Sequence, residues 1–134
     1  MIAAGNYEWV NNNITAKKFP VEGTGIVRFE PKVFRFDRYI SSEDAVEAIK
    51  ADDRQNPWEP TKIEGLLAYG AKNPDEQRQY PIIGLGSVAE VRGDRHVPCL
   101  HRCDAERRLG LHWWVGVWLD DSSFLAVRKL SSTT

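Results

Sequence analysis

From residue 6 to residue 40 the chain reads as extended. Tyr7, Trp9, Ile14, Phe19, Ile26, Val33 and Ile40 are β-formers, broken by Pro20, Gly23, Gly25 and Pro31. Val27 with Phe29, and Phe34 with Phe36, show the period of two expected of half-buried strands. Asn11-Asn12-Asn13 predicts a turn. The period then becomes helical. Ser41 or Ser42 can cap a helix whose positive end suits Glu43 and Asp44, and Ala45, Ala48 and Ile49 share one face. That helix is expected to stop near Asp53. Pro57-Trp58-Glu59-Pro60 reads as a connection. Thr61 and Glu64 fit a capping box, each satisfying the other's backbone donor, and Ile63, Leu66, Leu67 and Gly70 form the stripe of a second packed helix. Asn73-Pro74 ends it, with one further helical turn expected at 74–77.

Beyond Tyr80 the pattern predicts four antiparallel strands, at 81–91, 96–102, 108–115 and 123–130. Tight turns are expected at 92–95 and 104–106, and a frayed tail at 130–134. Strands, then two helices, then a run of strands do not alternate, which argues α+β rather than a parallel doubly wound sheet. The 134 residues suit a single domain, 1–134.

Composition adds exclusions more than assignments. A net charge of −1 leaves no electrostatic footprint for nucleic acid or an anionic membrane. No apolar run approaches the ~20 residues of a membrane span, so no membrane insertion is expected. The opening MIAAGNYEW lacks a signal-peptide pattern, which points to the cytoplasm and leaves surface display by another route open. Cys99 and Cys103, if on one straight strand, have Cα atoms ~13 Å apart. A bridge between them would need a bend, so both are expected to be reduced.

Several motifs resemble catalytic or ligand-binding signatures and are better explained without them. Residues 82–89 imitate the glycine-rich dinucleotide fingerprint, but no helix is expected directly afterwards to hold a pyrophosphate. His96, Cys99, His101 and Cys103 are rich in zinc-ligand types. Alternate residues of a strand stand ~6.6 Å apart, too far to converge on one ion, so no metal or other cofactor is expected. Arg92-Gly93-Asp94 is ordinary hairpin chemistry. Ser122 and Ser123 beside Asp120, Asp121 and His112 supply hydrolase residue types without a nucleophile setting.

The stretch at 108–129, RLGLHWWVGVWLDDSSFLAVRK, stands apart. Three of the five tryptophans fall within six residues, set among side chains with no common chemistry. Strand alternation turns Trp113 and Trp114 to opposite sides, so at least one of them should line a surface unless the sheet is covered on both faces.

Together with YPIIGLGS at 80–87 and GDRHVP at 93–98, this stretch resembles the variable proteins of diversity-generating retroelements, of the kind found in small-genome bacteria and archaea. The resemblance spans residues 63–129. It implies a C-type-lectin-like fold: N-terminal strands, two helices, and a C-terminal antiparallel sheet displaying a variable region at about 100–123. It also implies diversification by a retroelement reverse transcriptase that misreads template adenines. Arg108, Gly110, His112, Val115, Gly116, Val117, Leu119, Asp120, Asp121 and Ser122 occupy slots usually filled by Asn or Asp, and their codons are reachable from an Asn codon. The resemblance makes Trp113, Trp114, Trp118 and Phe124 scaffold aromatics: Trp113 and Trp118 match fixed aromatics, and Trp114 stands where Phe is frequent. Ser123 departs from a common Arg, and His101 and Cys103 extend the variable pattern. The expectation is a non-enzymatic, monomeric binding protein whose partner is a protein or other macromolecule. The alternatives are an oxidase related to formylglycine-generating enzymes, which would use Cys99 and Cys103, and a small interaction domain without diversification.

Overall fold

The structure is a computed structural model that describes residues 2–20 and 29–129. The expectations for Gly23, Gly25, Ile26 and Val27, and for the tail at 130–134, lie outside the described residues. In chain order the elements are β1 (Trp9–Val10), β2 (Phe29–Arg35), β3 (Ile40–Ser41), α1 (Ser42–Ala51), β4 (Glu59–Pro60), α2 (Ile63–Lys72), β5 (Ile82–Ile83), β6 (Ala89–Val91), β7 (Asp94–Cys103), β8 (Glu106–Trp113), β9 (Val117–Trp118) and β10 (Ser123–Lys129). Short 3-10 turns cover Ile2–Gly5 and Glu76–Arg78. The fold is α+β.

The main sheet runs β1-β8-β7-β5-β10-β2, with β4 added to β10 and β6 to β7. Two of its pairings are parallel, β1 with β8 and β5 with β10. The β7–β8 hairpin runs from His96 opposite Trp113 to Cys103 opposite Glu106. At the expected 92–95 turn, Arg92 and Gly93 both take positive φ, the geometry that joins twisted strands with least splay. β3 and β9 form a separate two-stranded sheet.

Helices cover both faces of the main sheet. Ile83, Val97, Cys99, Phe124 and Ala126 pack on the α1 side with Ala45, Ile49 and Trp118. Ile82, Leu100, Leu109 and Leu125 pack on the α2 side with Ile63, Leu66 and Leu67. Sequence neighbours such as Cys99 and Leu100, or Phe124 and Leu125, therefore belong to opposite cores. A strand buried on both faces reads as an unbroken apolar run, as 124–127 does.

Several expectations need correction. The single strand expected at 81–91 breaks into β5 and β6, because Gly86 N–H donates to Thr61 O at 2.8 Å. A Cβ on Gly86 would collide with the Pro60 and Thr61 carbonyls, so backbone approach explains this glycine. The Thr61–Glu64 capping box does not form. The first N–H of α2, on Ile63, instead donates to Ser87 Oγ at 2.8 Å, and the Thr61 hydroxyl donates to Lys62 O. A cap supplied from 24 residues away has no local signature. The third C-terminal strand ends at Trp113 rather than at 115, and the 57–60 connection carries β4 and a buried Trp58. The helical turn expected at 74–77 is the 3-10 turn at Glu76–Arg78. By contrast Ser41 does cap α1, accepting from Asp44 N–H at 3.1 Å.

One buried cation ties the ends together. Arg107 is only 5% exposed. Its guanidinium donates to Pro74 O at 2.8 Å, to Gln77 Oε1 at 3.0 Å, to Gly70 O at 3.4 Å and to Gly5 O, and it lies over the Tyr7 ring. Its backbone N–H donates to Glu8 Oε2 at 2.7 Å. Glu8's own backbone N–H and this contact hold its carboxyl below the usual carboxylate range. Arg107→Met should leave the Gly5, Gly70 and Pro74 carbonyls without their donor and destabilise the domain by about 3 kcal/mol or more, measured by urea unfolding. An unchanged midpoint would mean that the network contributes nothing to stability.

Candidate functional site

Alternation along β8 separates two kinds of residue. Arg107 and Leu109 are buried toward α2, whereas Arg108, Gly110 and His112 face the α1 side, opposite His101, Cys99 and Val97. Arg108 lies over the Trp9 ring, 5.3 Å from its centroid, and pairs with Glu106 at 2.7 Å. The bond to Glu106 raises the guanidinium's pKa further. Gly110 is itself buried, because the His101 imidazole lies over its bare backbone: a Cβ there would stand 2.6 Å from His101 Nε2. Burial lowers the pKa of His101, and the Arg108 and His112 charges act in the same sense. The exposed His112 ring packs at 4.7 Å on Trp118 and so joins the sheet face to the loop that follows.

That loop is held by two tryptophans and displays most of the rest. Ser42, fully buried at the start of α1, donates to Trp114 O at 2.7 Å and accepts from the Trp118 indole N–H at 2.9 Å. The Trp114 indole donates to Glu43 Oε1 at 2.7 Å, and its backbone N–H donates to Arg95 O. Glu43's own backbone N–H and the Trp114 indole keep the carboxyl below its ordinary value. Trp118 packs edge-on against Phe124, and both are buried. Between these anchors Val115 is 73% exposed, Val117 62% and Leu119 58%. Gly116, Asp120 and Asp121 are exposed as well.

Two members of the expected set lie elsewhere. Ser122 is buried, its N–H donating to Leu119 O in the turn that returns the chain to β10. Trp113, a scaffold aromatic by the resemblance, is 61% exposed at the last position of β8, with His96 packed edge-on beside it. Trp114 is half-buried against the α1 core. Sequence reasoning missed Tyr39. Ile40 pairs with Trp118 and Ser41 with Val117, and Tyr39, the residue before β3, is 62% exposed. Only the pairing of β3 with β9 brings these two segments together, and two-residue strands leave no periodic signal.

The remaining motifs do not assemble. Cys99 is buried, and burial pushes its thiol up to about 12, while Cys103 is exposed and both are free. Among the described residues no three His, Cys, Asp or Glu side chains gather as metal ligands. After Gly86 the chain enters β6 rather than a helix. Ser122 and Ser123 are buried, and His112 packs on Trp118. No described helix is long and apolar enough to cross a membrane. No family model, no curated protein and no solved structure matches the chain.

The placements separate anchors from displayed side chains. Phe124→Ala should cost ~3–5 kcal/mol, whereas Trp113→Ala should stay within about 0.5 kcal/mol, both read from thermal unfolding. Equal losses would return Trp113 to the scaffold. Ser42→Ala orphans the Trp118 indole N–H and should cost ~1–3 kcal/mol. Its specific signature is faster amide exchange at 114–118, and unchanged exchange there would remove Ser42 as the anchor.

Proposed function

We propose that the domain is a binding protein, non-enzymatic, whose partner is a protein or other macromolecule engaged by the surface at 108–121. The observation that carries this reading is the exposed apolar set Val115, Val117 and Leu119, rimmed by Asp120 and Asp121 and rigidly anchored on either side by Trp114 and Trp118. Clustered exposed apolar side chains with a polar rim are the usual composition of a contact surface. Pre-anchoring the loop reduces the ordering entropy lost on binding.

The finer reading is that this surface belongs to a variable protein of a diversity-generating retroelement on a C-type-lectin-like fold. What supports it is the resemblance of 63–129, the order of N-terminal strands, two helices and a C-terminal strand run, and the separation of exposed slots from buried anchors. Arg108, His112, Val115, Gly116, Val117, Leu119, Asp120 and Asp121 are partly or fully exposed slots, and Trp118 and Phe124 are buried anchors. The formylglycine-generating-oxidase alternative draws nothing from the geometry, since Cys99 is enclosed in the α1 core.

Replacing Val115, Val117 and Leu119 together with Ser should abolish partner binding and leave the melting temperature nearly unchanged. Loss of folding would return these residues to the core and sink the display model. The genetic arm is a search of the DNA beside the gene for a near-copy of the 108–129 coding segment and a reverse transcriptase. A copy differing mainly at its adenines is the expected result; absence of both copy and polymerase overturns the retroelement reading and leaves the binding reading to the triple variant.

A further inference from the structure

A cleft of about 660 Å³ opens between the C-terminal end of α2, the 3-10 turn at Glu76–Arg78, and strands β2 and β10. It lies on the α2 side of the sheet, away from the displayed loop: Arg35 stands opposite Ser123, and Val33 opposite Leu125 of the α2 core. Its volume falls within the ~300–1,000 Å³ of ordinary small-molecule sites.

Of the acids of this cleft Asp75 is ion-paired and Glu76 is hydrogen-bonded but keeps its charge, whereas the cleft's two cations have no carboxylate partner among the described residues. Asp75 pairs with Arg78 at 3.4 Å, and Glu76 Oε2 accepts the Tyr69 hydroxyl at 2.5 Å. The carbonyls of Gly70, in the last turn of α2, and of Pro74, just beyond the helix, accept from the buried Arg107. Arg35 and Lys72 also line the cleft, and neither has a carboxylate partner among the described residues. The Arg35 guanidinium is stacked 3.7 Å from the Tyr80 ring centroid. Stacking holds the planar fork in one orientation and leaves its in-plane N–H donors free for a bidentate oxyanion.

We propose that this cleft binds a small molecule bearing a doubly charged oxyanion, held by Arg35 and Lys72, with its apolar body against Val33, Pro74 and Tyr80. The chemistry fits a phosphate ester or a dicarboxylate, and the site is independent of the display surface. It makes the domain a carrier of two separate recognition surfaces, one for a macromolecule and one for a small anion.

The test is an amide-resolved NMR titration of the full chain with inorganic phosphate and, separately, succinate, at constant ionic strength set with chloride. Saturable shifts confined to Arg35, Lys72, Glu76, Tyr80 and their neighbours are expected, with 115–121 unmoved. The anion that saturates at lower concentration identifies the phosphate or the carboxylate source. Arg35→Gln with Lys72→Gln should raise Kd at least about tenfold, and Lys72→Gln alone, at an exposed helix end, should raise it by less while leaving the rest of the spectrum in place. Shifts that grow linearly, that chloride reproduces, or that survive the double substitution would overturn the proposal.

Discussion

A guanidinium removed from water is costly unless it finds acceptors, and each of the three guanidinium nitrogens of Arg107 has at least one, drawn from separate parts of the chain. It joins the 3-10 turn at Ile2–Gly5, the end of α2, the turn carrying Gln77, and β8 itself. Gln77 extends the network by donating to the carbonyls of His101 and Arg108 across the β7–β8 pair. The consequence reaches the surface. With residue 107 held inward, alternation sends 108, 110 and 112 to the other face. A one-residue slip of β8 would turn Arg108 and His112 to the opposite face, so a buried cation stabilises the register on which that part of the surface depends.

The far end of β8 is secured differently. The segment after β8 meets the start of α1 through the Ser42 hydroxyl, which donates to Trp114 O and accepts from Trp118, and through Glu43, which accepts from the Trp114 indole. Each tryptophan thus has a polar tip satisfied at the helix and a ring against the α1 core, which lets the loop between them stay rigid while its own side chains contribute nothing to packing. This division explains how Val115, Val117 and Leu119 stand exposed without making the domain poorly folded. Their burial was never part of the core, which is supplied on one side by Ala45, Ile49 and Phe124 and on the other by Ile63, Leu66 and Leu125.

Much of this was legible in the chain. Both helices, the hairpin turn at Arg92-Gly93 and the long C-terminal strands follow from period and turn chemistry. What escaped depends on contacts distant in sequence. Ser87 replaces Thr61 as the cap of α2, the Gly86 backbone rests on the Thr61 carbonyl and breaks a strand, and β3 meets β9 to set Ile40 opposite Trp118. Arg107 and Arg108 are adjacent and chemically identical, and only the register decides which of them is buried. The resemblance sets Trp113 among the scaffold aromatics, while alternation requires that Trp113 or Trp114 reach a surface; at the last position of β8 it is Trp113 that stands exposed.

The slots proposed to vary are physically unequal, and the inequality sets how freely each could change. Gly110 has ordinary backbone geometry, and a side chain there displaces only the mobile tip of His101, so substitution at 110 is coupled to the orientation of 101. Gly116 has open space around it but a φ of +106°, so any other residue meets backbone strain of ~1–3 kcal/mol despite the room. Ser122 has the opposite problem: it is buried in the turn before β10, where added volume must move the chain. Val115, Val117, Leu119, Asp120 and Asp121 face neither restriction. Diversification confined by physics would therefore concentrate on these five and on the 101–110–112 face, would favour glycine at 116 and would hold 122 to small residues. A domain with ~5–15 kcal/mol of total stability can absorb one strained slot but not several at once, so the two restricted positions would limit how many variants of the surface remain folded.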